Sequence, residues 1–530
     1  MRSHVFRRFG AVAVATGLLL AVAIPASAHR GHDGGTCGHW GKECYQTSQP
    51  SYVDLEVPGA VQPLINSGEE VFGTVFEGLP DGIGVVPGHG KKNKQGYVDL
   101  YVTHEQSHVP FGGFADHQDS SVSRVRVDIA SKSITDLEVA LSPSEGFIRF
   151  CSAFMAGPEH GFPHYTFLVN EESNDELPVP AGALYGADPS LAPNRQAGYS
   201  AYLDTVTGKV GVLASQGRMN HENNVIVPGG WHKIVGLSGD DTFTFPSTPE
   251  RPNLSQLYMS ITHNWKHFKK DESTLWAFRV TGTGGSPIDP ADPFNGANDY
   301  LDMAPGDDWT GEFIPVPEDI ARGTTADRPQ DALEDWSNAN NVFQFVRVED
   351  IAYDPDHPRV VYFADTGNSR LVEDPATGRL YRAASGGDST SGRVFEMVFD
   401  RKNPTVVDSF SILVDASAIG MRNPDNVAVS HKSLMVQEDV SDAKVWMYSL
   451  ASGTWTHVAT ANQSTAETSG IVDVSRWFGR GWWALDVQSH TNQEEFGTFV
   501  WNGPGGPAVG SEYVSRRENG QLLLMRIPGS

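Results

Sequence analysis

The sequence predicts an all-β fold in which one small antiparallel sheet is repeated. Short segments rich in Val, Ile, Tyr and Phe follow one another along the chain, and turn residues separate them. Few stretches have the periodicity of a helix, which excludes the mixed fold classes. Because arranging such sheets in a ring protects their edges, we expect a six-bladed β-propeller with long loop and helix insertions.

The clearest copy of the repeated unit spans Val346–Gly367. Charged residues that include Glu349 precede an apolar segment, a turn rich in Asp and Pro follows, and a second apolar segment ends in Asp365. Such a hairpin has carboxylates where one strand begins and where the next one ends, so they can share one edge of the sheet. The same arrangement recurs in Arg422–Asp439.

Further strands are predicted from about Val85 to the C-terminus. They lie near 96–103, 121–128, 147–153, 165–170, 198–204, 218–227, 257–261, 275–280, 392–399, 444–448, 481–486 and 522–526. Residues 284–340 interrupt the rhythm with Pro, Asp and Gly and contain one predicted helix near Pro329–Trp336. No low-complexity linker divides the chain, so residues 51–530 are predicted to form a single propeller domain with this insertion. A pair of separate β domains is the alternative.

The N-terminus has the organisation of an export signal. Arg7 and Arg8 precede an apolar run, and Ala26-Ser-Ala28 is typical of a cleavage site. The run is too short to span a bilayer, and no later segment is long and apolar enough for a transmembrane helix. We predict that residues 1–28 are a signal peptide, that the arginine pair permits twin-arginine export, and that the mature protein is secreted.

Residues 29–50 are polar and glycine-rich, and they are predicted to form a flexible tail. Cys37 and Cys44 could close a small disulfide in an oxidising compartment, which leaves Cys151 as an odd cysteine.

The net charge argues against a nucleic-acid partner. Loss of the three arginines in the signal peptide changes the formal net charge from -26 to -29. Phosphate backbones would be repelled over most of such a surface, whereas a small phosphate ester could still be held locally by metal ions.

Acidic residues recur at strand edges and carry the main chemical signal. They are Glu105, Glu171, Glu172, Glu222, Glu349, Asp365 and Asp425. If the units surround one axis, these carboxylates can point into a central channel, where cations must neutralise their repulsion. Oxygen ligands of this kind suit Ca²⁺. The alternative is that each acid caps a strand or binds a turn.

Cys151 has two interpretations. A lone cysteine in Phe-Cys-Ser-Ala is most often a small buried apolar residue, and composition favours that interpretation. A thiolate beside carboxylates would instead bind a transition metal such as iron.

Several motifs together resemble the PhoX-type alkaline phosphatase family, whose members are exported six-bladed propellers. They are Val102-Thr-His-Glu105, Phe150-Cys-Ser-Ala153, Phe167-Leu-Val-Asn-Glu-Glu172, Gly217-Arg-Met-Asn-His-Glu-Asn223, Arg347-Val-Glu-Asp-Ile351, Val361-Tyr-Phe-Ala-Asp-Thr-Gly-Asn368 and Asn423-Pro-Asp-Asn-Val-Ala428. They occur in the family's order over about Asp81–Asp442, which is most of the mature chain.

The resemblance implies a mixed iron–calcium cluster in the channel. It assigns Cys151 to iron, further cluster contacts to Glu105, Glu172, Glu222 and Glu349, and calcium to Asp365 and Asp425. It also implies that Arg347 grips the phosphoryl oxygens of the substrate, a role that suits a planar guanidinium. The chain departs from the family at Val348, where proline is frequent, and has a shorter glycine-rich stretch after Cys151.

The function implied by the resemblance is metal-assisted hydrolysis of phosphate monoesters, with a small-molecule substrate and a monomeric enzyme. Arg347 would stabilise charge that develops on the phosphoryl oxygens. Two alternatives stay open. A calcium-dependent propeller lactonase would use acids and Asn426 around one ion and would not need Cys151. A secreted binding propeller would use calcium for stability alone.

Overall fold

The structure is a computed structural model. The predicted signal peptide and part of the predicted tail lie outside the residues that it describes. The described residues are 36–37, 42–88, 96–106, 119–174, 176–178, 194–242, 247–249, 252, 254–324, 326, 328–463, 466–489, 495–501, 508–515 and 519–530.

Six four-stranded antiparallel units form the blades of a β-propeller, which confirms the predicted all-β fold; blades 3 and 4 belong to one continuous sheet. The inner strands of neighbouring blades contact one another around a central channel. In the order of blades 1 to 6 they are Pro80–Pro87, Phe150–Ala156, Val225–Ile226, Val348–Tyr353, Pro424–Val429 and Ala466–Asp473.

Each blade adds three strands outside its inner strand. The second strands are Tyr97–His104, Thr166–Glu171, Ile234–Gly239, Val360–Asp365, Ser433–Glu438 and Trp482–Ser489. The third strands are Ser121–Asp128, Ser200–Asp204, Leu257–Thr262, Arg393–Phe399, Lys444–Ser449 and Asn519–Arg526. The outer strands are Ile134–Leu141, Val210–Val212, Thr274–Thr283, Val406–Asp415, Thr454–Ala461 and Ala60–Asn66.

Alternation of apolar and polar side chains produces these strands. In Ser121–Asp128, Val125 and Val127 are buried in the core, whereas Arg126 lies on the other face and donates to Asp99 Oδ1 at 2.7 Å. Because side chains of a strand alternate between faces, one sequence supplies both an apolar contact and an ion pair.

A strand from the N-terminal part of the chain closes the ring. Ala60–Asn66 pairs antiparallel with Asn519–Arg526 and forms the outer edge of blade 6, and Val53–Leu55 adds to blade 5. Within the predicted tail, Tyr45 N donates to Ile134 O at 2.8 Å and Cys44 is disulfide-bonded. Strands from the two ends of the domain therefore pair within blade 6, and this pairing closes the ring of blades.

The predicted insertion contains 15 of the 27 α-helical residues in the described chain. Trp309–Pro315 pairs with the outer strands of blades 3 and 4 and joins them. The helices of the described chain are α1 (Trp265–Phe268), α2 (Glu318–Ala321), α3 (Pro329–Ala339), α4 (Ala416–Ile419) and α5 (Ser475–Phe478), with 3-10 turns at Pro143–Glu145, Pro158–His160, Ala214–Gln216 and Tyr300–Asp302. The helix predicted near residue 329 is α3, which has proline in its first turn.

Several further strands lie outside the blades, and most of them are short. They are Thr36–Cys37, Lys42–Glu43, Glu70–Val71, Thr74–Val75, Glu176–Pro178, Asn194–Gln196, Ser286–Pro287, Ser369–Glu373, Leu380–Arg382, Asp388–Ser389, Glu495–Trp501 and Ala508–Ser515. Of the helices in the described part of the chain, none combines the length and apolar character that a membrane span requires.

An aromatic cluster packs within blade 4. Phe363 and Phe395 have ring centroids 5.1 Å apart, Phe395 and Phe410 are 5.3 Å apart, and Phe345 lies 5.5 Å from Phe363. All four rings are fully buried. Close aromatic pairs stabilise a core beyond the area they bury, so this cluster supports the strand that ends at Asp365.

Candidate metal centre

Candidate ligands lie at the starts of inner strands and at the ends of second strands. Five of them lie at or just before the inner strands of blades 1 to 5: Asp81, Cys151, Glu222, Glu349 and Asp425. Glu105 and Glu172 directly follow the second strands of blades 1 and 2. Since Pro80 is paired with His104 and Phe150 with Glu171, strand starts and strand ends share one edge of each sheet.

Four inner strands begin in the same way. The residue before the strand has a positive φ: 48° at Leu79, 46° at Arg149, 69° at Arg347 and 48° at Asn423. This left-handed conformation is uncommon outside glycine. In each case the candidate ligand comes two residues later, as Asp81, Cys151, Glu349 and Asp425. Because strand side chains alternate with a period of two, a constant offset turns all four toward the same side.

The structure brings seven of these side chains together in three overlapping groups. Within a group, one ligand atom of each residue lies within 4.8 Å of the others. The groups are Asp81, Glu105 and Cys151; Cys151, Glu172 and Glu222; and Glu222, Glu349 and Asp425. Cys151 and Glu222 each belong to two groups, so the set forms one continuous row across five blades.

Buried oxygens without hydrogen bonds show that this row fits cations. Among the described residues, Asp425 Oδ1 is buried without a hydrogen-bond partner, and the two buried oxygens of Glu222 have only the Ser152 side chain beside them for a hydrogen bond. An unpaired buried carboxylate oxygen is costly, and a cation is the group that would remove this cost. The free thiol of Cys151 lies 3.2 Å from Asp81 Oδ2, between the first two groups.

The electrostatics of the row point to the same requirement. Burial raises the pKa of Glu222 well above its usual range, and the neighbouring carboxylates of Glu349 and Glu172 raise it further. Burial and Asp81 likewise raise the pKa of the Cys151 thiol. Burial raises the pKa of Glu349 to about 8. Without cations these groups resist ionisation; bound cations would favour the carboxylate and thiolate forms.

Two arginines flank the row. Arg347 Nε lies 2.9 Å from Asp241 Oδ1, and its Nη2 lies 3.3 Å from Glu349 Oε1. Arg149 Nη2 lies 2.9 Å from Glu105 Oε1. Their side chains are 22% and 34% exposed, whereas that of Glu349 is 3% exposed. Solvent therefore reaches part of each arginine side chain, while the carboxylate of Glu349 stays buried.

Two residues proposed as ligands lie outside the three groups. Glu171 accepts hydrogen bonds from the backbone N–H groups of Ile148 and Tyr199, at 3.0 and 3.1 Å. Asp365 Oδ2 accepts from Val346 N at 2.6 Å, and its Oδ1 is buried without a hydrogen-bond partner in the described chain. Their roles as ligands stay predictions.

Sequence reasoning missed Asp81 and Arg149. Asp81 follows Pro80 at the start of an inner strand, just as Asp425 follows Pro424, and this shared Pro-Asp pair was a usable signal. Arg149 stands two residues before Cys151, the same spacing that separates Arg347 from Glu349.

Hydrogen bonds among neighbouring polar groups support the row. Asn426 Nδ2 donates to Ser152 Oγ at 2.6 Å, and Asn426 Oδ1 accepts from Gly470 N at 2.9 Å. Ser469 Oγ lies 2.6 Å from Asp81 Oδ1. Blade 6 also contributes Gln488, whose Nε2 donates to Asp81 Oδ2 at 2.9 Å. The sixth blade thus orients a candidate ligand without supplying one to the groups.

Comparisons with known proteins show the fold. No family model and no curated protein sequence matches the chain. Among solved structures, Pseudomonas fluorescens PhoX in complex with vanadate, a transition-state analogue, is 14% identical, with a TM-score of 0.57 over 90% of this chain and 96% of that one. The PQQ-bound aldose sugar dehydrogenase of Streptomyces coelicolor is 10% identical over 89% of this chain and all of that one, with a TM-score of 0.34. The propeller architecture of this chain is therefore shared with PhoX.

Proposed function

We propose that the protein is a metal-dependent phosphatase that hydrolyses phosphate monoesters. The observation that carries this proposal is a continuous row of buried and half-buried acids and one thiol, with two partly exposed arginines beside it. Cations and guanidinium groups arranged together suit a doubly charged phosphate better than a neutral ester.

The donor atoms differ along the row in a way that suits two kinds of cation. The thiol of Cys151 suits iron, and the oxygen-only group of Glu222, Glu349 and Asp425 suits Ca²⁺. When bound, these cations would supply Lewis acidity toward the phosphoryl oxygens. The residues proposed to hold them also include Asp81, Glu105 and Glu172.

The arginines would bind and orient the phosphoryl group. Asp241 accepts from both Nε and Nη2 of Arg347, at 2.9 and 3.2 Å, so the guanidinium plane is fixed. A fixed fork can contact two phosphoryl oxygens at once and stabilise the charge that grows on them in the transition state. Arg149 would assist from the side of blade 2. PhoX, which shares the fold, forms a complex with vanadate, a transition-state analogue, and this supports the proposal of a phosphoryl-binding site.

Turnover of an aryl phosphate tests the proposal. We expect the protein that begins at His29, kept with Ca²⁺, to release the aryl alcohol at alkaline pH and to lose this activity with a chelator. Glu349→Gln should lower kcat/KM at least about tenfold, because it removes one charged ligand. Asp335→Asn, an exposed change on α3, should leave kcat/KM unchanged. Wild-type turnover in Glu349→Gln would refute the site.

Cys151→Ser separates this proposal from the alternatives. Only the phosphatase interpretation expects the change to remove both iron and activity, with iron measured by elemental analysis. If folded, Ca²⁺-loaded protein turned over a lactone or no ester at all, the phosphatase proposal would be wrong.

A further inference from the structure

A second acidic cluster joins the insertion to the segment between the second and third strands of blade 4. Asp299 precedes and Asp302 ends the 3-10 turn Tyr300–Asp302, and Glu373 ends the short strand Ser369–Glu373. We propose that Asp299, Asp302 and Glu373 form a separate Ca²⁺ site that fastens the insertion to this blade. The site shares no residue with the central row.

The geometry suits one calcium ion. One carboxylate oxygen from each of the three residues lies within 4.8 Å of the others. Because Ca²⁺–oxygen distances are about 2.4 Å, oxygens separated by up to roughly twice that length can contact the same ion. Glu373 is exposed, so water can complete the coordination shell.

A buried oxygen of Asp299 provides independent support. The residue is fully buried; its Oδ1 accepts from Leu301 N at 2.7 Å and so caps the 3-10 turn. Its Oδ2 is also buried, yet it has no hydrogen-bond partner among the described residues. The cap explains one oxygen only. A cation held with Asp302 and Glu373 accounts for the other.

No nearby cation of the described chain neutralises the cluster by contact. Arg379 interacts electrostatically with Asp299 and Asp302 but forms no ion pair with either of them in the described chain. Its guanidinium donates to Val342 O at 2.6 Å and to Asn338 Oδ1 at 3.2 Å. Among the described residues, none of the three acids forms an ion pair with a basic residue. Three carboxylates in one place repel each other, and Ca²⁺ would remove most of that repulsion.

The site would position a turn that contacts blade 4. Arg393 Nη1 donates to Tyr300 O at 2.6 Å, and the Arg393 guanidinium lies 3.8 Å from the centre of the Tyr300 ring. Tyr300 Oη is 2.6 Å from Thr390 Oγ1. An ion at Asp299 would hold this turn at one end while Arg393 and Thr390 hold it at the other.

Calcium titration of chelator-dialysed protein by calorimetry tests the inference. Asp299→Asn keeps the cap, because an amide oxygen still accepts from Leu301 N, but it removes the charge. Glu373→Gln changes only an exposed side chain and should not affect folding. We expect each variant to bind one Ca²⁺ fewer per chain than wild type, with the same far-ultraviolet circular dichroism. Asp335→Asn should bind as many as wild type.

The same titration in a Glu222→Gln/Glu349→Gln background isolates the outer site from the central row. The binding event that Glu373→Gln removes should persist in that background. Equal Ca²⁺ stoichiometry in wild type and Glu373→Gln would overturn the inference. If the protein showed no phosphatase turnover but still lost one Ca²⁺ in Glu373→Gln, the proposed function would fail and this inference would stand.

Discussion

Arg347 has an unusual backbone conformation, a positive charge and a position beside a candidate metal ligand. It has a left-handed backbone, its guanidinium is fixed by Asp241, and it contacts the carboxylate of Glu349. Asp241 is buried, so removing the arginine would leave an unpaired buried carboxylate and confuse a catalytic defect with instability. A change that keeps the charge avoids that difficulty.

We therefore predict that Arg347→Lys lowers kcat/KM for an aryl phosphate by about 100-fold while the protein stays folded. Lysine keeps the positive charge but cannot contact two phosphoryl oxygens with a rigid fork. Steady-state kinetics would measure the change. Arg328→Lys, at an exposed arginine paired with Asp331, is the matched control and should be silent. Equal rates in Arg347→Lys and wild type would exclude a bidentate role.

His160 gives a prediction for pH. Burial lowers its pKa to about 4; its Nδ1 accepts from Gly157 N at 2.9 Å and its Nε2 lies 2.9 Å from Tyr353 Oη. The folded state therefore holds a neutral imidazole, whereas the unfolded state takes up a proton near the ordinary histidine pKa of 6.5. This stability is present above pH 6.5 and is lost as the pH falls toward 4.

From pH 7 to pH 5, His160 should cost the wild-type protein about 2 kcal/mol of unfolding free energy. Urea unfolding at both values would show a smaller loss in His160→Gln. His357→Gln, at an exposed histidine, should behave as wild type. An identical pH response in His160→Gln would mean that this imidazole is already charged in the folded state.

At the scale of elements, the close approach of blades 6 and 1 depends on Gly470. This glycine has a φ of 45°, and a Cβ there would meet the carbonyl oxygen of Asp81. The backbone of Asp81 cannot move aside as a flexible side chain can, so its close contact with Gly470 fixes the position of Asp81 in the row.

Gly470→Ala should therefore lower the free energy of unfolding by about 2–3 kcal/mol. Gly208→Ala is a matched control, since Gly208 also has a positive φ (68°) but has open space at its Cβ position. The control measures the cost of the backbone conformation alone. Chemical denaturation of both variants would make the comparison, and equal losses would show that blade packing at residue 470 adds nothing.

Local patterns predicted the elements better than the site. Strand segments, the helix that became α3 and the acids at hairpin edges are all decided by neighbours in sequence, so they could be identified from periodicity and turn chemistry. The contacts between the candidate metal ligands could not be identified in this way. Glu222 meets Asp425, and Asp299 meets Glu373, only after the blades pack, and backbone amides that surround Glu171 are not visible in a motif.

At the scale of the whole molecule, cations should contribute to stability as well as to chemistry. The row joins five of the six blades, and its carboxylates repel one another when no cation is present. A ligand that binds only the folded state stabilises it by mass action, by about 2.7 kcal/mol at a concentration 100 times its Kd.

Chelation should accordingly lower the Tm of the protein, and added Ca²⁺ should restore it. Glu222→Gln should be less sensitive to the chelator than wild type, because Glu222 contributes to two of the three groups. Differential scanning calorimetry with and without chelator would measure both effects. A Tm that does not change with Ca²⁺ would mean that repulsion among the carboxylates of the row does not destabilise the folded protein.

The left-handed residues before four of the inner strands affect how a metal centre of this kind can evolve. Each of these four blades holds its candidate ligand two residues after the left-handed residue, so this one position can be exchanged while the backbone stays the same. Aspartate, cysteine and glutamate already occupy that position in different blades. By contrast, gaining or losing a single residue between the turn and that position would present the opposite face of the strand. A substitution at the ligand position can therefore change the chemistry of the centre, whereas an insertion before it would turn the side chain away from the row.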